Sequence, residues 1–182
     1  MKNKVDLSSY RQSYEHGSFY RRVAWIFISA LFFSNQFPFP STFKIFLLKL
    51  FGSNIGIGCV IKPSVKIKYP WLLTIGDHCW LGEHVWIDNL GRVTLEDSCC
   101  VSQGAYLLTG NHNAFDSDFS LIVDTITLKS GSWVGAKSIV CPGVTLGEGS
   151  LLCAGSVATR NLEDWSIFQG NPAKFKGVRN TN

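Results

Sequence analysis

The chain has 182 residues, 17 Lys or Arg against 13 Asp or Glu, and a formal net charge of +4. That length is ample for one hydrophobic core with an appendage. The cations are scattered apart from Lys174, Lys176 and Arg179, so the basic stripe with stacking aromatics that nucleic acid requires is missing, and no nucleic-acid partner is expected.

Residues 1–54 form an aromatic arm with short helices. Val23–Phe33 is an apolar run of 11 residues behind Arg21 and Arg22. A bilayer span takes about 20 residues. No small-x-small cleavage site follows the run, which leads instead into Phe37-Pro-Phe-Pro40, so a signal peptide is disfavoured. The second stretch, Phe43–Phe51, sets Lys44 and Lys49 among Phe, Ile and Leu at roughly helical spacing. Two readings stay open: a helix pair packed on the following domain or on a partner subunit, or an interfacial anchor at the inner membrane face. In either case the arm has an open sheet edge to cover.

From Ile55 a six-residue beat takes over. Aliphatic residues recur at Ile55, Ile61, Ile67, then Ile75, Leu81, Ile87, then Leu95, Val101, Leu107, and again at Leu128, Val134, Val140, Leu146 and Leu152. Fixed-period self-similarity predicts a solenoid whose turns bury their hydrophobics only by stacking. Three hexapeptides make one coil, so residues 55–163 form an all-β solenoid with three flat walls. Ile55 to Ile75 and Ile75 to Leu95 are 20 apart, which adds two residues at one corner of each upper coil. Gly56, Gly76, Gly82, Gly135 and Gly147 follow aliphatic positions; small residues are expected to fit tight corners, with glycine where φ turns positive.

The six cysteines show no C-x-x-C and no zinc spacing, so no metal is expected. Cys59, Cys79 and Cys99 share one position in successive coils and are predicted to stack as a ladder of small apolar side chains. Free thiols in a reducing cytoplasm are the expectation. After Leu108 the repeat is interrupted by a loop over 110–124, and loops on a rigid scaffold carry function. His112 lies at its root. His16 sits in the arm, while His78 and His84 occupy outward positions of regular hexapeptides. An imidazole can take a proton from a hydroxyl near neutrality. Residues 164–182 form a basic tail that is either solvated or meets the phosphates of a small anionic cofactor.

Leu108-Thr-Gly-Asn-His112, Thr127-Leu-Lys-Ser-Gly-Ser-Trp-Val-Gly135, Pro142-Gly-Val-Thr-Leu-Gly147, Ala154-Gly-Ser156 and Gly170-Asn-Pro-Ala173 resemble the galactoside/maltose and nodulation O-acetyltransferase group. Leu50-Phe-Gly52, Lys62-Pro-Ser-Val-Lys-Ile67 and Tyr69-Pro-Trp71 resemble most the acetyltransferases assigned to colanic-acid biosynthesis. The resemblance implies a left-handed parallel β-helix, although the general crossover rule favours the opposite hand. It further implies a homotrimer with active sites between copies, and acetyl-CoA-dependent transfer to a sugar hydroxyl with His112 as general base. Trp133, Gly135, Ala136, Ala154, Gly155, Arg160 and Lys174 match cofactor contacts. The family's acceptor-binding Asn is replaced here by Gly82, which leaves Asn89, His84 and Asn111 as candidate acceptor contacts.

Rival readings are weak or non-catalytic. A γ-type carbonic anhydrase needs an H-x4-H pair, and the chain has none. A sugar nucleotidyltransferase would need a preceding nucleotide-binding domain, for which 54 residues without a Gly-rich turn are too few. A catalytically silent scaffold at a membrane or in an assembly is the alternative from another class.

Overall fold

A computed structural model describes residues 4–10 and 17–180. Every aliphatic residue of the six-residue beat is buried in it. The first coil is β1 (Asn54–Ile55), β2 (Val60–Ile61) and β3 (Lys66–Ile67). The second is β4 (Leu73–Ile75), β5 (Trp80–Leu81) and β6 (Trp86–Asp88), and the third β7 (Val93–Leu95), β8 (Cys100–Val101) and β9 (Tyr106–Leu108). A hairpin of β10 (Gly110–His112) and β11 (Leu121–Val123) then leaves the stack. The fourth coil is β12 (Ile126–Leu128), β13 (Trp133–Val134) and β14 (Ile139–Val140); the fifth is β15 (Thr145–Leu146), β16 (Leu151–Leu152) and β17 (Val157–Ala158).

First, second and third strands of successive coils build walls A, B and C, all in parallel. Identical repeat positions stack: Ile55 lies over Ile75, Ile75 over Leu95, Leu95 over Leu128 and Leu128 over Leu146. Each coil therefore satisfies the backbone of the next, as where the Gly56 and Gly76 amides donate to Ile75 and Leu95 carbonyls at 2.8 Å. The extra residues of the upper coils and the hairpin all fall at the corner between walls C and A.

The glycines after aliphatic positions differ from expectation. Gly56, Gly76, Gly82, Gly135 and Gly147 do not have positive φ; a Cβ at each would lie 2.0–2.8 Å from atoms of the next coil, so they permit close stacking. The left-handed corner positions lie two residues later, and non-glycines hold several of them: His78 (φ 56), His84 (φ 58), Ser98 (φ 59) and Lys137 (φ 57).

Cys59, Cys79 and Cys99 are buried free thiols at the corner between walls A and B. Each donates to a carbonyl one coil down, at Gly76 (3.1 Å), Glu96 (2.9 Å) and Lys129 (3.2 Å) respectively.

Both open ends are closed. Helices α1 (Phe19–Phe32) and α2 (Ser41–Leu50) lie over the first coil. Trp25 of α1 is buried and donates its indole N–H to the Ile67 carbonyl at 2.9 Å. Lys44 of α2 is fully buried, with Nζ donating to the Lys62 carbonyl at 2.9 Å, and the Ser41 hydroxyl accepts the Ile61 N–H at 3.0 Å. Burial pushes the Lys44 ammonium below its ordinary value. At the other end the expected tail is ordered structure: β18 (Ser166–Gly170) pairs with β16, and β19 (Ala173–Val178) folds back antiparallel on β18. The exposed edge of the last coil supplies the reason, since unpaired strand edges invite association.

Candidate active site

The hairpin is built around His112. Thr109 at its root is fully buried; its hydroxyl donates to the Asp88 carbonyl at 2.8 Å and accepts the Gly91 N–H at 2.9 Å. This pins the first strand of the hairpin to the coil above. Gly110, Asn111 and His112 then pair with Val123, Ile122 and Leu121. Asp116 gathers the turn by accepting from Asn113 (2.8 Å) and from the Ser120 hydroxyl (2.7 Å).

The His112 ring is half-buried and held on two sides. Phe119 stacks on it at 4.3 Å between centroids with an 8° interplanar angle, and Tyr10 meets it edge-on at 5.5 Å. The Phe119 carbonyl lies 2.8 Å from His112 Nδ1. A carbonyl can only accept, so Nδ1 carries a proton, and in the neutral ring Nε2 holds the lone pair. Phe119 adopts φ 52, a conformation that bulky residues rarely take. Neither Phe119 nor Tyr10 is singled out by the sequence, because their importance lies only in contacts across the loop. The Asp6 N–H donates to the Ser117 carbonyl at 2.7 Å, joining the arm to the hairpin. His16 lies outside the described residues.

The residues matched to the cofactor fall elsewhere on the prism. Trp133 stands outward on wall B, 41 % exposed, with its indole N–H donated to Ser102 Oγ at 2.8 Å. Gly135, Ala136, Ala154 and Gly155 follow along the corner between walls B and C, where the Gly155 N–H donates to the Ala136 carbonyl at 2.8 Å. A Cβ at Gly155 would meet nothing within 4 Å, so this edge is open. Arg160 and Lys174 share a cavity of about 350 Å3 with Thr159, Pro172 and Ala173, which brings two cations together below the last coil. Cys100 sits between Trp80 and Trp133 on wall B; burial pushes its thiol up, which disfavours a thiolate there.

The acceptor candidates divide. Asn89 is fully buried, and its side-chain amide accepts the Tyr69 N–H at 3.0 Å and donates to the Tyr69 carbonyl at 2.7 Å. The expectation that Asn89 binds acceptor is thereby corrected: it holds the wide corner of the upper coil, and both its polar groups are in use. Its neighbour Asp88 is occupied by Lys68 at 2.8 Å and the Tyr106 hydroxyl at 3.0 Å. His84 is exposed on the edge between walls B and C, beside a cavity of about 310 Å3 lined by Gln36, Pro63, Ser64 and Glu83. Asn111 is exposed, alternates with His112 along the same strand, and accepts the His112 N–H at 2.8 Å. At Gly82 a Cβ would lie 2.7 Å from the Gln103 nitrogen, so the packing of coils excludes a side chain there.

His112 therefore projects from the edge between walls C and A, whereas the matched cofactor positions begin on wall B and its edge with wall C. One wall separates the two sets within a single chain. Among the described residues no group of three or more His, Cys, Asp or Glu side chains could hold a metal ion, and no helix is long and apolar enough to cross a membrane.

A stacked three-walled coil interrupted by one hairpin defines the class of hexapeptide-repeat solenoids. Residues 130–160 match the family model described as the hexapeptide repeat of succinyl-transferase. The chain is 35 % identical over 170 residues to the Escherichia coli (strain K12) protein named "Putative colanic acid biosynthesis acetyltransferase WcaF", covering 92 % of this chain and 93 % of that one. Its fold superposes on a hexapeptide-repeat acetyltransferase of Vibrio cholerae O1 biovar eltor complexed with acetyl-CoA (TM-score 0.78, 19 % identity, 93 % and 94 % covered). It also superposes on a galactoside acetyltransferase in complex with coenzyme A (TM-score 0.81, 20 % identity, 93 % and 86 % covered). The chain belongs to the hexapeptide-repeat acetyltransferases, and its solenoid is the left-handed parallel β-helix of that family.

Proposed function

We propose that the protein transfers an acetyl group from acetyl-CoA to a hydroxyl of a sugar, as part of making an exopolysaccharide or cell-surface glycan. The observation that carries this reading is the 2.8 Å contact between His112 Nδ1 and the Phe119 carbonyl. With Nδ1–H held by the Phe119 carbonyl, Nε2 is the one ring nitrogen able to accept a proton. The acceptor hydroxyl gives its proton to Nε2 as its oxygen attacks the thioester carbonyl; the C–S bond then breaks, and the departing thiolate takes the proton back from His112. A step of this kind needs no covalent enzyme intermediate. General-base assistance contributes about 10²–10⁴ in rate, and a backbone N–H facing the developing oxyanion about 3–4 kcal/mol.

The cofactor reading rests on the open edge at Ala154 and Gly155 leading to the paired cations Arg160 and Lys174, a run that suits pantetheine followed by phosphates. Because this run and His112 lie on different edges, the complete site forms where the His112 hairpin of one copy meets the cofactor edge of the next, in a homotrimer. His84 and Asn111 are the remaining acceptor candidates. Relatives named for acetylation of galactosides and for colanic-acid biosynthesis support a carbohydrate acceptor.

Release of free thiol from acetyl-CoA, measured with a panel of nucleotide sugars and oligosaccharides, tests the assignment. His112→Ala is expected to lower kcat by about 10²–10⁴. Unchanged turnover would remove His112 as the base, and turnover with no acceptor in the panel would favour a silent scaffold.

A further inference from the structure

Helix α1 is apolar on both sides. Its inner side packs Trp25, Ile28 and Phe32 against the core. Its outer side carries Tyr20, Ala24, Phe27 and Leu31 at i, i+4, i+7 and i+11, with Phe19 and Ile26 alongside; Tyr20 is 84 % exposed and Phe27 65 %. A helix that is apolar all round is ordinarily covered all round, and a contiguous exposed patch of this kind marks a contact surface.

The charge around it identifies what covers it. From residue 16 to residue 76 the sequence has seven Lys or Arg and no Asp or Glu. Eleven of the 13 acidic residues lie at position 77 or beyond, the others being Asp6 and Glu15. Arg21, Lys49 and Lys66 are exposed at this end of the prism, and Lys68 is exposed beside its partner Asp88. A second copy docked through this end would bring two cationic segments together, with no carboxylate from either segment to offset them. An anionic bilayer offers the complement to both features: headgroup charge for the cations and an acyl boundary for the aromatic and aliphatic side chains. With 14 residues, α1 is about 21 Å long, too short to span and suited to lying in the interface.

We infer that the outer face of α1 docks the protein on the surface of an anionic lipid bilayer, with the solenoid axis leading away from it. A cyclic trimer with parallel axes would present three such caps at one end, and their joint binding would exceed that of one cap by avidity; a single cap does not need the trimer to bind.

Flotation of the full-length chain with phosphatidylcholine vesicles, with and without phosphatidylglycerol, tests this. The parent chain is expected to float with the anionic vesicles and much less with phosphatidylcholine alone, and added salt should weaken the association. The double variant Phe27→Ser, Leu31→Ser should bind at least about tenfold more weakly, from lost apolar burial, with acetyl transfer and sedimentation mass unchanged. Tyr20→Ser, at the most exposed position of the stripe, gives the same reading should the double variant misfold. Absence of parent binding to anionic vesicles, equal binding by the variants, or a variant of altered oligomeric mass would overturn the inference; the last would mean that another copy covers the stripe. The measurement reads lipid association, so its failure is distinct from failure of the transferase reading.

Discussion

The His112 imidazole owes its orientation to a residue seven positions away. The Phe119 carbonyl holds Nδ1–H and the Phe119 ring lies flat on the imidazole, so tautomer and orientation come from one residue in a rare conformation. Asn89 shows the opposite case, a polar side chain that resembles a site residue in sequence and is consumed by packing. Asn89→Ala is expected to remove two hydrogen bonds to the Tyr69 backbone and to lower stability by about 1–3 kcal/mol, read by denaturant unfolding. The KM for acceptor should stay at the parent value. A raised acceptor KM without loss of stability would restore Asn89 to the acceptor site.

At the scale of the coil, stacking distance governs what each position accepts. Gly135 and Gly155 make a controlled comparison. A Cβ on Gly135 would lie 2.5 Å from the Ala154 nitrogen and 2.6 Å from the Leu152 oxygen, whereas Gly155 faces open space at φ +67. Gly135→Ala forces backbone against backbone and is expected to cost about 3 kcal/mol, the upper part of the usual range for overpacking. Gly155→Ala is left with the left-handed conformation alone, at about 1 kcal/mol. Urea midpoints of the two variants should rank in that order, and the reverse order would show that φ rather than coil spacing controls the corners. The end caps follow the same logic of unmet backbone groups: Lys44 and Ser41 above, the hairpin of β18 and β19 below.

At the scale of the molecule, the separation of His112 from the proposed cofactor edge makes a prediction about assembly. His112→Ala and Ala154→Trp, which fills the groove, should each retain about 1 % of parent turnover or less alone. Co-expressed and mixed at random, they should recover about a quarter of the parent turnover, because that share of seams pairs an intact hairpin with an intact groove. No recovery would mean that the two sets of residues serve the same chain.

The solenoid was legible in the sequence because its coils are held by short-range, periodic burial: Ile55, Ile75 and Leu95 declare their stacking by spacing alone. The hairpin after Leu108 and its histidine were equally visible, since an interruption stands out against a strict repeat. What the spacing did not reveal depends on contacts between residues distant in sequence. The burial of Asn89 beside Tyr69, the carbonyl of Phe119 at the imidazole, the closing hairpin of β18 and β19, and the wall between His112 and the corner of Ala154 and Gly155 all arise from which corner a residue reaches. A periodic pattern assigns each side chain to the inside or outside of a wall, but only the closed prism decides which edges face one another, because that depends on the sum of every turn taken along the chain.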